Sequence, residues 1–182
     1  HLVSLLMCPW LLGFHSGCKI GVYLSGISGA FDRVKTDLLL RKLERAAVNS
    51  TFLNFLADFL GPRNATVVVN GAKSYIFAIL NMAYQGTVLG PPLWNVFFED
   101  VTEAVVTQGF KEAKFADDLS AYKRYPTAHD NADILEDLQR CQKSVHAWGR
   151  LNQVSFDKDK EEFAILHRTQ GHGADFRLLG PV

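Results

Sequence analysis

The sequence has no surplus of either charge: 19 lysines and arginines face 19 aspartates and glutamates, a formal net charge of zero. Proteins that hold nucleic acid on their own commonly carry a basic surplus, because neutralising phosphates drives their affinity. The balance counts against autonomous nucleic-acid binding, although it leaves room for a basic groove offset by acidic patches. Cysteine is scarce. Cys8, Cys18 and Cys141 are odd in number and match no zinc spacing. Three free thiols in a reducing compartment are expected, and with them an intracellular location, cytoplasm or nucleus. The apolar stretch of residues 1–15 is interrupted by Pro9 and too short to cross a bilayer. It lacks the basic leader and cleavage site of a signal peptide, so no membrane partner is expected. It reads as the buried end of a helix begun upstream. Repeats and low-complexity tracts are also missing.

What is present suits one ordinary folded domain. The 182 residues are 48% apolar and 21% charged, which excludes disorder and a coiled coil. Residues 19–24 form a short apolar run with β-branched and aromatic side chains, a buried strand. Residues 36–47 and 51–60 show helical spacing, the second ended by Gly61-Pro62. Residues 66–69 are β-branched, Asn70-Gly71 signals a hairpin turn, and 74–80 should be the return strand. Residues 93–106 read as one apolar helix with Pro91 and Pro92 at its start. Two short strands, 112–115 and 119–123, flank Ala116-Asp117-Asp118. A long helix spans about residues 130–150, with Ile134, Leu138, Cys141, Val145 and Trp148 on one face. Residues 163–166 make a last strand. The expected class is α+β: a small, mostly antiparallel sheet covered by helices on one face.

Three segments suit chemistry. Asp117 and Asp118 are adjacent in a turn, where two carboxylates resist joint ionisation. A divalent cation relieves that conflict, and Mg²⁺ takes one or two carboxylates together with substrate phosphate oxygens. A solvated turn is the ordinary alternative, since aspartate favours turns. Gln85-Gly86-Thr87-Val88-Leu89-Gly90-Pro91 places two glycines before a helix, letting backbone approach a ligand; an ordinary loop is the alternative. Ser25 to Asp32 follows a strand end with small residues and Phe31, either a pocket floor or a plain connection. The charged run 157–162 is explained as a solvated turn, and the histidines, His146 among them, take surface or core roles.

Together these segments resemble the motifs of reverse transcriptases of the non-long-terminal-repeat retrotransposon type. Ser28-Gly29-Ala30-Phe31-Asp32-Arg33-Val34 looks like the first palm motif, residues 85–91 the second and Phe115-Ala116-Asp117-Asp118 the third. Trp148-Gly149-Arg150-Leu151-Asn152 with residues 156–160 is similar to the fourth, and Leu178-Leu179-Gly180 to the start of the primer-gripping hairpin. The resemblance implies that residues 1–182 are a single palm fragment, fingers and thumb largely absent. It implies RNA-templated DNA synthesis by two-metal nucleotidyl transfer, with two Mg²⁺ and with RNA template, DNA primer and deoxynucleotide as partners. Asp117 and Asp118 would be catalytic and bind metal, joined by the Ile27 carbonyl. Phe31 would be the gate against a ribose 2′-hydroxyl, Gln85 and Gly86 would lie beside the nucleotide, and Lys160 would approach its triphosphate. One position departs. The family has a metal-binding aspartate six residues before the aspartate of Ala-Phe-Asp, and Gly26 stands there. An inactive copy is therefore expected, with the second metal site impaired. The alternative is a decayed retroelement remnant acting as a nucleic-acid or protein binding module.

Overall fold

The computed structural model describes residues 2–79, 86–167 and 177–179, with the backbone alone for 2–6, 8 and 177–179. In chain order the elements are α1 (Leu2–His15), β1 (Cys18–Gly26), a 3₁₀ turn (Ala30–Arg33), α2 (Thr36–Arg45), α3 (Ser50–Phe59), β2 (Arg63–Ala65), β3 (Val68–Val69), β4 (Ala72–Lys73), β5 (Phe77–Ile79), α4 (Gly90–Phe98), α5 (Val101–Val106), β6 (Lys111–Phe115), β7 (Asp118–Pro126), α6 (Asn131–Asn152), a 3₁₀ turn (Lys158–Lys160), β8 (Glu162–Leu166) and β9 (Arg177–Leu179). They divide into two compact units, His1–Ser28 with Asp100–Val182, and Gly29–Glu99.

The first unit is organised by a five-stranded sheet in the order β6-β7-β1-β8-β9, every neighbouring pair antiparallel. β1 is central, so both of its faces need cover, and its side chains alternate between two layers. Gly21 and Tyr23 face α6. A Cβ at Gly21 would lie 2.9 Å from Ile134 Cγ2 and 3.1 Å from the Tyr125 ring, so the glycine lets the helix approach the strand closely. Ile134, Leu138, Cys141 and Val145 are all fully buried. Each such isoleucine, leucine or valine contributes roughly 1.5–3 kcal/mol. Burial pushes the Cys141 thiol up to about 12, which makes it an inert core group. α6 starts at Asp130, whose side chain accepts from Ala132 N, and ends at Gln153 in the left-handed region.

The opposite face of β1 presents Ile20, Val22 and Leu24, which cluster with Tyr122, Ala164 and Leu166. Trp10 and Phe14 of α1 pack there. The small antiparallel sheet with α5 and α6 on one face is as expected, and α1 adds cover on the other. α1 is only partly buried, since Met7, Leu11 and Leu12 are exposed. Apolar on all sides, it has just one side to give to the sheet.

The second unit buries Leu39 and Leu43 of α2, Leu56 of α3 and Trp94, Phe97 and Phe98 of α4. Lys42 ties α2 to α4, donating to the Phe97 carbonyl at 2.6 Å. The Asn70-Gly71 turn forms, with both residues at positive φ. The return strand, however, is β4 rather than residues 74–80. Of those, Phe77–Ile79 pair instead with Arg63–Ala65, and Leu80 lies outside the described residues. The expected helix over 93–106 is also two helices, broken at Glu99-Asp100. No glycine or proline marks that break. Asp100 there accepts the Trp148 indole N–H at 2.7 Å.

Candidate active site

β6 and β7 form a tight hairpin. Phe115 pairs with Asp118, leaving Ala116 and Asp117 as the two loop residues. Ala116 sits at φ 53°, in the left-handed region that two-residue hairpins require at their first loop position. Alanine there costs about 1–2 kcal/mol relative to its preferred regions. The turn raises Asp117 half-buried and Asp118 exposed, at the tip of a sheet otherwise fixed by its core.

The end of β1 meets this tip. Gly26 is the register partner of Asp118, and Ile27 N donates to the Asp117 carbonyl at 3.3 Å. Adjacent strands lie about 4.8 Å apart, so Gly26 and Ile27 lie beside the carboxylate turn. A Cβ built on Gly26 would stand 2.9 Å from Asp118 Oδ1. A side chain at position 26 therefore points to the side that Asp118 occupies. Ser25, one residue earlier, is buried on the α6 side, where it cannot substitute.

The fourth motif closes the other flank. Gly149 lets the chain fold back over the end of α6: a Cβ there would meet Phe156 at 2.9 Å and the Val154 carbonyl at 3.0 Å. Val154 N then donates to the Gly149 carbonyl at 2.9 Å, and buried Asn152 donates to the Trp148 carbonyl at 3.0 Å. This turn lays residues 155–157 along β1. Ser28 N donates to Ser155 O at 3.3 Å and Asp157 N to Gly26 O at 2.9 Å, on either side of an Ile27–Phe156 bridge. Lys160 follows, its N–H donating to the Asp157 carbonyl at 3.0 Å. Its stem crosses Gly26, with Cδ 2.9 Å from the built Cβ. Its ammonium stands 3.7 Å from Asp117 Oδ2, both side chains partly solvated.

One participant was not legible in the sequence. Glu161 is buried rather than solvated. Its Oε1 accepts a short hydrogen bond from the Tyr23 hydroxyl and lies 2.7 Å from His146 Nε2. Burial first, then the bond to Glu161 and its charge, hold the Tyr23 hydroxyl well above the usual phenol range. The cluster anchors the Lys158–Lys160 turn to β1 and α6 from behind. The only available signal was Tyr23 at an inward position of β1, a phenol that needs a partner.

Gly26, Ile27, Asp117, Asp118 and Lys160 thus come together in the first unit. Phe31 belongs to the second, half-buried, its ring 6.0 Å from that of Trp94. Gly86, also in the second unit, is exposed at φ 82°, with no atom of the described residues within 4 Å of where a Cβ would go. Gln85 lies outside the described residues. Among the described residues, no group of three or more His, Cys, Asp or Glu could hold a metal ion. Two carboxylates, one beside an ammonium, do not fit a centre of two divalent cations.

The sequence model for "Reverse transcriptase (RNA-dependent DNA polymerase)" matches residues 16–180. The chain is similar to the RNA-directed DNA polymerase from mobile element jockey of Drosophila melanogaster, 39% identical over 140 residues, covering 73% of this chain and 15% of that protein. The jockey protein of Drosophila funebris is 25% identical over 171 residues, covering 86% and 19%. The Pol polyprotein from type-1 retrotransposable element R1 of Bradysia coprophila is 27% identical over 143 residues, covering 75% and 13%. The chain therefore spans under a fifth of the length of these relatives. Among solved structures, apo telomerase from Candida tropicalis, truncated of its C-terminal domain, superposes with a TM-score of 0.61 at 9% identity, covering 95% of this chain and 37% of that one. At that identity the likeness concerns the fold.

Proposed function

Because the chain belongs to the reverse transcriptase family, we propose that it is the palm portion of an RNA-directed DNA polymerase of a non-long-terminal-repeat retrotransposon, in a copy that no longer turns over. The observation that carries this reading is the pairing of Gly26 with Asp118. It supports the alignment of the first and third motifs and gives the missing carboxylate a definite location. Enzymes of this family work with divalent metal ions. Asp117, Asp118 and the Ile27 carbonyl are the oxygens this chain offers toward them, and Mg²⁺ is the cation that suits such a set. Without a third carboxylate the set falls short of what two-metal chemistry needs.

The remaining roles follow the same reading. Phe31, held against Trp94, has the rigidity a sugar gate requires. Gly86 leaves its backbone open to a nucleotide, Gln85 takes the base contact by the resemblance alone, and Lys160, 3.7 Å from Asp117, is the cation assigned to a triphosphate. RNA template, DNA primer and deoxynucleotide are the corresponding partners. The free thiols of Cys18 and Cys141 suit an intracellular setting.

The test is primer extension on an RNA template with Mg²⁺ or Mn²⁺, in a complete polymerase hand carrying this segment. The chain as it stands is expected to be at least ~10⁴-fold slower than the Gly26→Asp version, about 5 kcal/mol of transition-state stabilisation. The gain should disappear again in Asp117→Ala. Robust extension by the unaltered segment would refute the proposal.

A further inference from the structure

We infer that Lys160 is the resident counter-ion of the Asp117–Asp118 pair: its stem fills the place left bare at Gly26, and its ammonium takes part of the charge-neutralising role a cation would have there. The inference rests on the reading that position 26 belongs to a carboxylate, and it concerns what replaces that carboxylate.

Two contacts of one side chain carry it. The Lys160 Cδ lies 2.9 Å, and its Cβ 3.7 Å, from a Cβ built on Gly26. A contact of 2.9 Å is closer than a real Cβ shows, so with a side chain at position 26 the lysine stem would have to shift from this path. At its far end, Nζ stands 3.7 Å from Asp117 Oδ2. The stem therefore passes the vacant position and the charge reaches Asp117.

Nor is Lys160 a loose surface lysine at its backbone. Its N–H is bonded to Asp157, whose own N–H is bonded to the Gly26 carbonyl. The next residue, Glu161, is buried and held by Tyr23 and His146. Both sides of the Lys160 Cα are thus tied to the framework that carries Gly26. At 3.7 Å and partly solvated, the ion pair contributes little to folding. Its consequence is competition: an ammonium within a few ångströms repels a divalent cation with twice the force it exerts on a monovalent one. A side chain entering at position 26 would have to displace the Lys160 stem, whose far end can swing away.

The experiment measures Mn²⁺ binding by the loss of the free-ion paramagnetic resonance signal, with thermal melts to verify the fold. Lys160→Met retains the stem and deletes the charge, and Lys160→Gln serves if the first variant melts early. Either is expected to bind Mn²⁺ about tenfold more tightly than the unaltered chain. That gain should vanish when Asp117→Asn is added. Gly26→Asp combined with Lys160→Met should bind more tightly than either single variant. Unchanged affinity in both folded lysine variants, or a gain that survives Asp117→Asn, would overturn the inference. If Gly26→Asp alone tightens binding while the lysine variants do nothing, the counter-ion fails and the missing-carboxylate reading stands. If the lysine variants tighten binding while Gly26→Asp adds nothing to them, the counter-ion stands and that reading fails.

Discussion

The sheet unit and the unit of residues 29–99 treat apolar strand residues in opposite ways. In the sheet unit, β1 lies between two strands and two layers, and Ile20, Val22 and Tyr23 are all buried. In the other unit the strands form two-stranded ribbons. There Val68 is 56% exposed, Val69 61% and Phe77 46%, although apolar residues occur in both units. A two-stranded ribbon has no second layer to bury its face against and is marginal by itself. Composition does not decide where a valine goes; the number of neighbouring strands does. The candidate site follows the same division, since a site that must hold fixed geometry needs a rigid base. Asp117 and Asp118 stand on the sheet with the closed core.

The comparison breaks first at α6. Leu138→Ala should cost about 3 kcal/mol in urea denaturation, because Leu138 is fully buried beside Gly21. A loss below about 1 kcal/mol would mean that the sheet core is far looser than its burial indicates. Next comes Tyr23→Phe, expected to cost about 2 kcal/mol by leaving the buried Glu161 carboxylate with one partner fewer.

Asp137 sharpens the contrast through pH. Burial alone would raise its carboxyl, but hydrogen bonds from Lys123 and Tyr125, together with the Lys123 charge, outweigh that and hold it below the usual range. A carboxyl lowered by folding contributes stability above its unfolded value, about 3.9, and loses it as pH falls through the folded value. Asp137→Asn should therefore cost about 1 kcal/mol at pH 7, with the difference from the unaltered chain closing below about pH 4. A gap that stays constant down to pH 2 would remove the ionic contribution. The smallest effect belongs to the other unit. Phe55→Ala on α3, half-exposed in a row of stacked rings with Phe52 and Phe59, should cost under about 0.5 kcal/mol. A loss matching that of Leu138 would show that this aromatic row is part of a core.

Much of the framework was legible because it rests on short-range pattern. The spacing of Ile134, Leu138, Cys141, Val145 and Trp148 marks the buried side of α6, and all are buried. Asn70-Gly71 marks its turn, since few other pairs tolerate positive φ at both residues. The return strand is not legible because residues 74–79 are as apolar as a core strand, and nothing local tells which of two partners will pair with them. The break at Glu99-Asp100 was invisible because it is tied to Trp148, 48 residues away.

By itself the sequence determined the order of the motifs, the carboxylate pair in a tight turn and the glycine at position 26, because residue identity and near-neighbour spacing are properties of the chain alone. Only the tertiary structure decided that Gly26 faces Asp118, that Lys160 crosses the vacancy to reach Asp117, and that Glu161 is buried with Tyr23 and His146. Gly26 and Asp118 are 92 positions apart and Tyr23 and Glu161 138. Their meeting depends on strand register, and register is set by which side chains the whole sheet buries together.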